Sequence, residues 1–138
     1  MKEIDKKLIE TISRYTASGI DQQVDYEKFY LYSLITHSTA IEGSTVTEVE
    51  NQLLFDEGIA AKGRSLNEQM MNVDLKNAYL YGFEWAKTGQ PYSVELLCEL
   101  SAKVMRRTGS EYSTMGGSFD SSKGELRRCN VSAGIGGR

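Results

Sequence analysis

Ser38 and Glu42 lie four residues apart in the run HSTAIEGSTVT, and Gly43 follows at once. That spacing puts a hydroxyl and a carboxylate on one face of a helix. A glycine directly after them suits a left-handed helix cap, because it has no Cβ to clash. Two readings fit. In the first, Glu42 is an exposed acid on a last turn, Gly43 is the cap and Ser38 is incidental. In the second, the carboxylate is aimed at something. An acid in a last turn faces the negative end of the helix dipole, an unfavourable place without a cationic partner. The run before it, FYLYSLIT, is largely apolar, so this helix is expected to be packed rather than peripheral.

The other reactive side chains offer less. His37 is the only histidine and has no orienting acid or nucleophile at recognisable spacing, so a structural or merely exposed role is expected. Cys98 falls inside an apolar helical pattern and reads as core filling. Cys129 follows Arg127 and Arg128, which could lower its pKa, but an inert thiol is the expectation. The two cysteines have no CxxC spacing and no histidine cluster, so no zinc site is expected. The glycines at 116–117 and 134–137 do not match GxxxxGK[ST], and GIGGR has no helix after it.

The elements that must position these residues form a chain of 138 residues, enough for one domain with a single core. Sixteen basic against nineteen acidic residues leave a net charge of -3, which argues against a nucleic-acid surface driven by bulk charge. No apolar run approaches the ~18 residues of a membrane span, and the amphipathic N-terminus lacks the apolar core of a signal peptide. Reduced cysteines suit a cytoplasmic protein.

Helical periodicity covers most of the chain. Ile4, Leu8, Ile12 and Tyr15 share one face, and Gly19 ends that segment. Asp21 or Asp25 can cap a second helix with Tyr26, Phe29, Tyr30, Leu34, Ile35 and Ile41 on its apolar side. Thr45 or Thr47 can cap a third, and Thr45 to Glu48 matches a capping box. SLNE, Ser65 to Glu68, is a second box before Met71, Leu75, Ala78 and Trp85. Gly89 and Pro91 stop that helix, and Ser93 opens a fifth, with Arg106 and Arg107 near its end, where they suit the dipole. After Gly109 the glycines crowd, periodicity disappears, and only Glu125 to Ser132, ELRRCNVS, reads as a short strand. The expected architecture is all-α: five helices and an irregular, half-formed hairpin.

Ser38-x-x-x-Glu42-Gly43 matches the inhibitory motif [S/T]xxxE[G/N] of the Fic family, and its surroundings extend the likeness. A helix of the form Y…S…IEG followed by a helix opened by TxxE resembles the N-terminal part of Fic proteins whose inhibitory helix precedes the core. VDLKNAYLYGFEWA resembles the first core helix, PYSVELLCELSAKVM the next, and GELRRCNV the entry to the β-hairpin flap before the active site. The resemblance covers residues 25–138. It implies a Fic-like helical bundle, with residues 1–63 holding the inhibitory helix and 64–138 the first part of the core, ending in the flap.

The resemblance also implies an activity. Fic enzymes typically transfer AMP from ATP, with Mg2+, to a hydroxyl of a protein side chain, using a loop HPFxxGNGRxxR. In the family the inhibitory glutamate pairs with the arginine of that loop, a charge-assisted pair able to compete with the γ-phosphate. Glu42 would be that glutamate, with Ser38 and Gly43 completing the motif. Arg128, Cys129, Asn130, Val131 and Ser132 would belong to the flap, whose edge can accept an extended target segment as an added strand. This sequence contains no HPFxxGNGR, and His37 is followed by Ser-Thr, so no catalytic residue, metal ligand or bound ATP is expected in it. The expectation is the autoinhibitory N-terminal part of a Fic adenylyltransferase. Its main partner would be a C-terminal Fic core, on the same protein or a second fragment. The target protein is open, homo-oligomers are compatible, and neither nucleic acid nor membrane is expected. The alternative is a non-enzymatic, antitoxin-like inhibitor that inserts Glu42 into a separate Fic protein.

Overall fold

A computed structural model describes residues 3–130. The chain divides into two compact units, Met1–Leu31 and Tyr32–Arg138. In the first unit, α1 spans Glu3–Ala17. It has Glu3 and Asp5 in its first turn and Arg14 in its last, signs that suit the helix dipole. None of its residues is buried. A single 3-10 turn, Ile20–Gln22, leads to α2, Tyr26–Ile41, which begins in this unit. Of the two aspartates able to cap it, Asp25 takes the place: its Oδ1 accepts from Lys28 N at 3.0 Å.

The second unit holds the rest of α2, then α3 (Glu48–Glu57), α4 (Leu66–Thr88) and α5 (Val94–Val104), followed by an antiparallel hairpin, β1 (Glu111–Thr114) and β2 (Gly117–Asp120). The protein is thus mostly helical with one small hairpin. No helix among the described residues is long and apolar enough to cross a membrane. Ile35, Val46, Ala61, Ala78, Leu96 and Phe119 are buried, and so are the polar Thr36, Thr39, Ser44, Asn51, Gln69, Asn72 and Asp74. Polar side chains are as frequent in this core as apolar ones, so hydrogen-bond pairing decides whether it is stable. Beside them Tyr32 and Phe55 pack edge to face at 4.9 Å, with Lys76 Nζ 4.8 Å from the Phe55 centroid.

The capping box at Ser65 forms as the sequence suggests: Ser65 Oγ accepts from Glu68 N, and Glu68 Oε2 accepts from Ser65 N. The box of α3 lies two residues later than Thr45 to Glu48. Thr47 and Glu50 make the reciprocal pair, because Glu68 already engages both the amide and the hydroxyl of Thr45. Ser93 caps α5 as expected, its Oγ accepting from Leu96 N at 3.1 Å.

The strand expected over Glu125 to Ser132 is not found. Glu125–Asn130 is irregular, and Val131 and Ser132 lie outside the described residues. The hairpin forms instead from EYST and GSFD, with Tyr112 opposite Phe119 and their rings stacked at 5.2 Å. The segment after it folds back over the hairpin turn. Thr114 Oγ1 reaches Arg128 O at 3.1 Å, so that carbonyl meets a side chain rather than a strand ladder. A Cβ at Gly116 would collide with the same Arg128 carbonyl, and one at Gly124 with Cys98 O of α5. Arg107 also departs from the expectation. α5 ends at Val104, and Arg107 turns to α4, where its amide (2.7 Å) and its guanidinium both donate to the fully buried Asp74.

Candidate functional site

The end of α2 is a Schellman turn. Gly43 N donates to Ala40 O and Ser44 N to Thr39 O, both at 3.0 Å, so two of the helix's terminal carbonyls are satisfied. Gly43 makes this possible by adopting φ +93°, a region that a Cβ disfavours. Glu42 is then the last residue before the reversal. Both Glu42 and Gly43 are exposed, and Ser38, one turn back, is half-buried. The last turn of α2 carries no basic residue. Among the described residues no ion pair or hydrogen bond engages the Glu42 carboxylate or the Ser38 hydroxyl. Both readings of the motif are therefore served at Gly43, which is a cap in fact. They part at Glu42, an acid at the negative end of a helix without a local cation.

The surroundings of this turn are densely hydrogen-bonded, with Asn51 Oδ1 the one buried side-chain atom of the network left without a partner among the described residues. On its inner side Asn72 Oδ1 accepts the Thr39 hydroxyl at 2.8 Å and Asn51 Nδ2 at 2.8 Å. Asn72 Nδ2 donates to Ser44 Oγ at 3.1 Å and to Glu68 O at 2.8 Å. Asn51 Nδ2 also donates to Thr36 Oγ1 at 2.8 Å. The network joins α2, α3 and α4 without a charged group. On the outer side, Glu68 Oε1 accepts the Thr45 amide (2.8 Å) and hydroxyl (2.7 Å), while Oε2 accepts the Ser65 amide and hydroxyl. The Ser65 hydroxyl, then Thr45 and the backbone donors, hold the Glu68 carboxyl down to about 2. Glu50 is likewise held below the usual carboxylate range, first by the Thr47 amide and then by Arg64. Arg64 Nε sits 3.2 Å from both Glu50 oxygens, and its Nη1 donates to Thr45 Oγ1 at 3.0 Å.

His37 is exposed, with Nε2 3.2 Å from Glu48 Oε1, and Ser33 Oγ donates to that same oxygen at 2.7 Å. This is a surface contact between α2 and the first turn of α3, with no nucleophile positioned by the imidazole. Cys98 is a half-buried free thiol, and Cys129 an exposed one. Arg128, Cys129 and Asn130 are exposed beside the hairpin turn, and nothing joins their side chains to Glu42 among the described residues. The same residues contain no group of three or more His, Cys, Asp or Glu able to hold a metal ion.

Sequence reasoning found the motif and the Ser65 box but not the buried Asn51–Asn72 pair or the Asp74–Arg107 clamp. The available signal was polar residues at core-facing positions of α4: Gln69, Asn72 and Asp74 lie among its few buried side chains. A scan of the chain against known protein families finds no match, and no curated protein matches it.

Proposed function

We propose that these residues form the autoinhibitory N-terminal part of a Fic-like protein adenylyltransferase, with Glu42 as the obstructing acid. The reading starts from the resemblance around Ser38, Glu42 and Gly43, and from a run of five helices; the hairpin that follows them lies at residues 111–120, ahead of the segment that the resemblance takes as the flap. The observation that carries it is the state of Glu42. The carboxylate is exposed and unpaired among the described residues, it stands at the unfavourable end of α2, and it leaves a turn whose own amides close onto Thr39 O and Ala40 O. A free acid there gains nothing locally. It gains a charge-assisted, bidentate partner if a guanidinium from the catalytic loop of a Fic core faces it.

In this reading Glu42 competes with the γ-phosphate for that cation, so ATP is excluded or held away from in-line attack. The described residues supply the obstructing acid and its support. The base, the Mg2+ ligand and the phosphate cradle would come from the core. Arg128 to Ser132 would border the docking edge for the target.

Replacing Glu42 by Gly in the protein that carries the core tests this. Labelling of the protein itself or its target from ATP rises when the acid is removed. Unchanged labelling, in a variant that folds, would sink the regulatory role.

A further inference from the structure

One side chain holds the Glu42–Gly43 turn from both of its ends. Thr39 contributes the carbonyl that closes the turn, and its hydroxyl is on Asn72 Oδ1. Ser44 is the residue after Gly43, and its hydroxyl is on Asn72 Nδ2. An asparagine amide has two donors and two acceptor positions. Here the donors go to Ser44 Oγ and Glu68 O, and the acceptor takes Thr39 and Asn51. Asn72 is 0% exposed, so no water competes for these positions. A second brace comes from the same face of α4 one turn earlier, where Glu68 holds both polar groups of Thr45.

We infer that Asn72 is a positioning residue for Glu42: by tying Thr39 to Ser44 across the turn, it fixes the direction in which the carboxylate leaves α2. The inference rests on the inhibitory reading above, since a direction matters only if Glu42 meets a partner. A bidentate carboxylate–guanidinium pair has narrow geometry, and loosening its support by ~1 Å weakens it out of proportion to any loss of global stability. Ser44 and Thr39 transmit the hold, and neither is replaceable by a neighbour, because both are buried. The opposite end of the network, Thr36 with Asn51, shares the burial but does not touch the turn.

That asymmetry supplies the test. Ser44→Ala and Thr39→Val each cut one tie to Asn72, and Thr36→Val cuts a tie of the same kind away from the turn. Each is made in the protein that carries the core, alone and with Glu42→Gly, so that a misfolding variant leaves the other available. Thermal unfolding, labelling from ATP and amide exchange at Gly43 and Ser44 are read on all. The expected result is exchange at Gly43 about three- to tenfold faster in Ser44→Ala or Thr39→Val. Labelling in these variants rises part of the way to the Glu42→Gly level and gains nothing further when combined with it. Thr36→Val loses similar thermal stability without raising labelling.

If Glu42→Gly raises labelling and neither turn variant does, the positioning role is overturned while the inhibitory reading stands. An equal rise in Thr36→Val also overturns it, because general loosening then suffices. No rise in Glu42→Gly removes the reading and the inference together.

Discussion

The same substitution should have opposite signs at two glycines. Gly43 sits at φ +93°, and a Cβ built there meets nothing within 4 Å. The whole cost of Gly43→Ala is therefore backbone strain, about 1–2 kcal/mol for an L-residue held in the left-handed region. Gly82 lies inside α4 with ordinary helical geometry, and its Cβ would meet only Leu100 Cδ2, at 3.7 Å, an ordinary contact. Gly82→Ala should stabilise by about 0.5–1 kcal/mol, because alanine loses less backbone entropy in a helix. The pair differs by about 1.5–3 kcal/mol with one methyl group added in each case. Gly43→Asn should fall between wild type and Gly43→Ala, since asparagine tolerates the left-handed region better. Urea denaturation followed by circular dichroism measures all three midpoints. A neutral or stabilising Gly43→Ala would refute the Schellman assignment, and with it the claim that the turn fixes where Glu42 stands.

Two further outcomes follow from the charged groups. Glu68 and Glu50 have carboxyls depressed in the folded state, so their contribution is present above the unfolded value near 4.5 and is lost as pH falls, for Glu68 down to about 2. Thermal unfolding between pH 7 and pH 2 should show Glu68→Gln less stable than wild type at pH 7 and converging with it toward pH 2; a gap that does not close with acid contradicts the assignment. At the other clamp, Asp74→Asn leaves Arg107, whose side chain is 41% exposed, free to turn to water, and should cost about 2 kcal/mol. Arg107→Ala leaves the fully buried Asp74 with only a backbone donor and should cost about 3 kcal/mol. Urea midpoints in the reverse order would remove Asp74 as the buried member on which the clamp depends.

The helices were legible because their signals are local. Apolar spacing located the five helices, Ser65, Ser93 and Gly89 marked ends that lie where the sequence puts them, and Asp25 is one of the two caps it offered for α2. The cap of α3 was ambiguous because TVTEVE contains two overlapping TxxE patterns. A residue 23 positions away, Glu68, decided between them by occupying Thr45. The hairpin was misplaced for a related reason. EYST and GSFD are serine- and glycine-rich, with one aromatic each, so their pairing shows only in the Tyr112–Phe119 stack. ELRRCNVS looks more strand-like, yet its residues up to Asn130 are irregular, with the Arg128 carbonyl held by Thr114 of the hairpin. At the candidate site, the motif residues and the capping role of Gly43 were readable. The Asn72 network was not, because each of its bonds to Thr39, Ser44 and Asn51 spans more than twenty residues.

The arrangement of acids gives the site its logic. Glu48 is taken by Ser33 and His37, Glu50 by Thr47 and Arg64, and Glu68 by Ser65 and Thr45. These three carboxylates build the surroundings of the turn, while Glu42 stands at its apex with no partner among the described residues. The inner support is made of neutral amides and hydroxyls, and two of the outer acids titrate well below neutrality. A buried polar network, here paired except at Asn51 Oδ1, adds little net stability over an apolar core of the same volume, but it admits fewer alternative packings. On the inhibitory reading proposed above, that trade would suit a carboxylate that meets a planar cation in one geometry. On that reading the ordering cost would be met when the chain folds, and what would remain at the encounter is the desolvation of two charges.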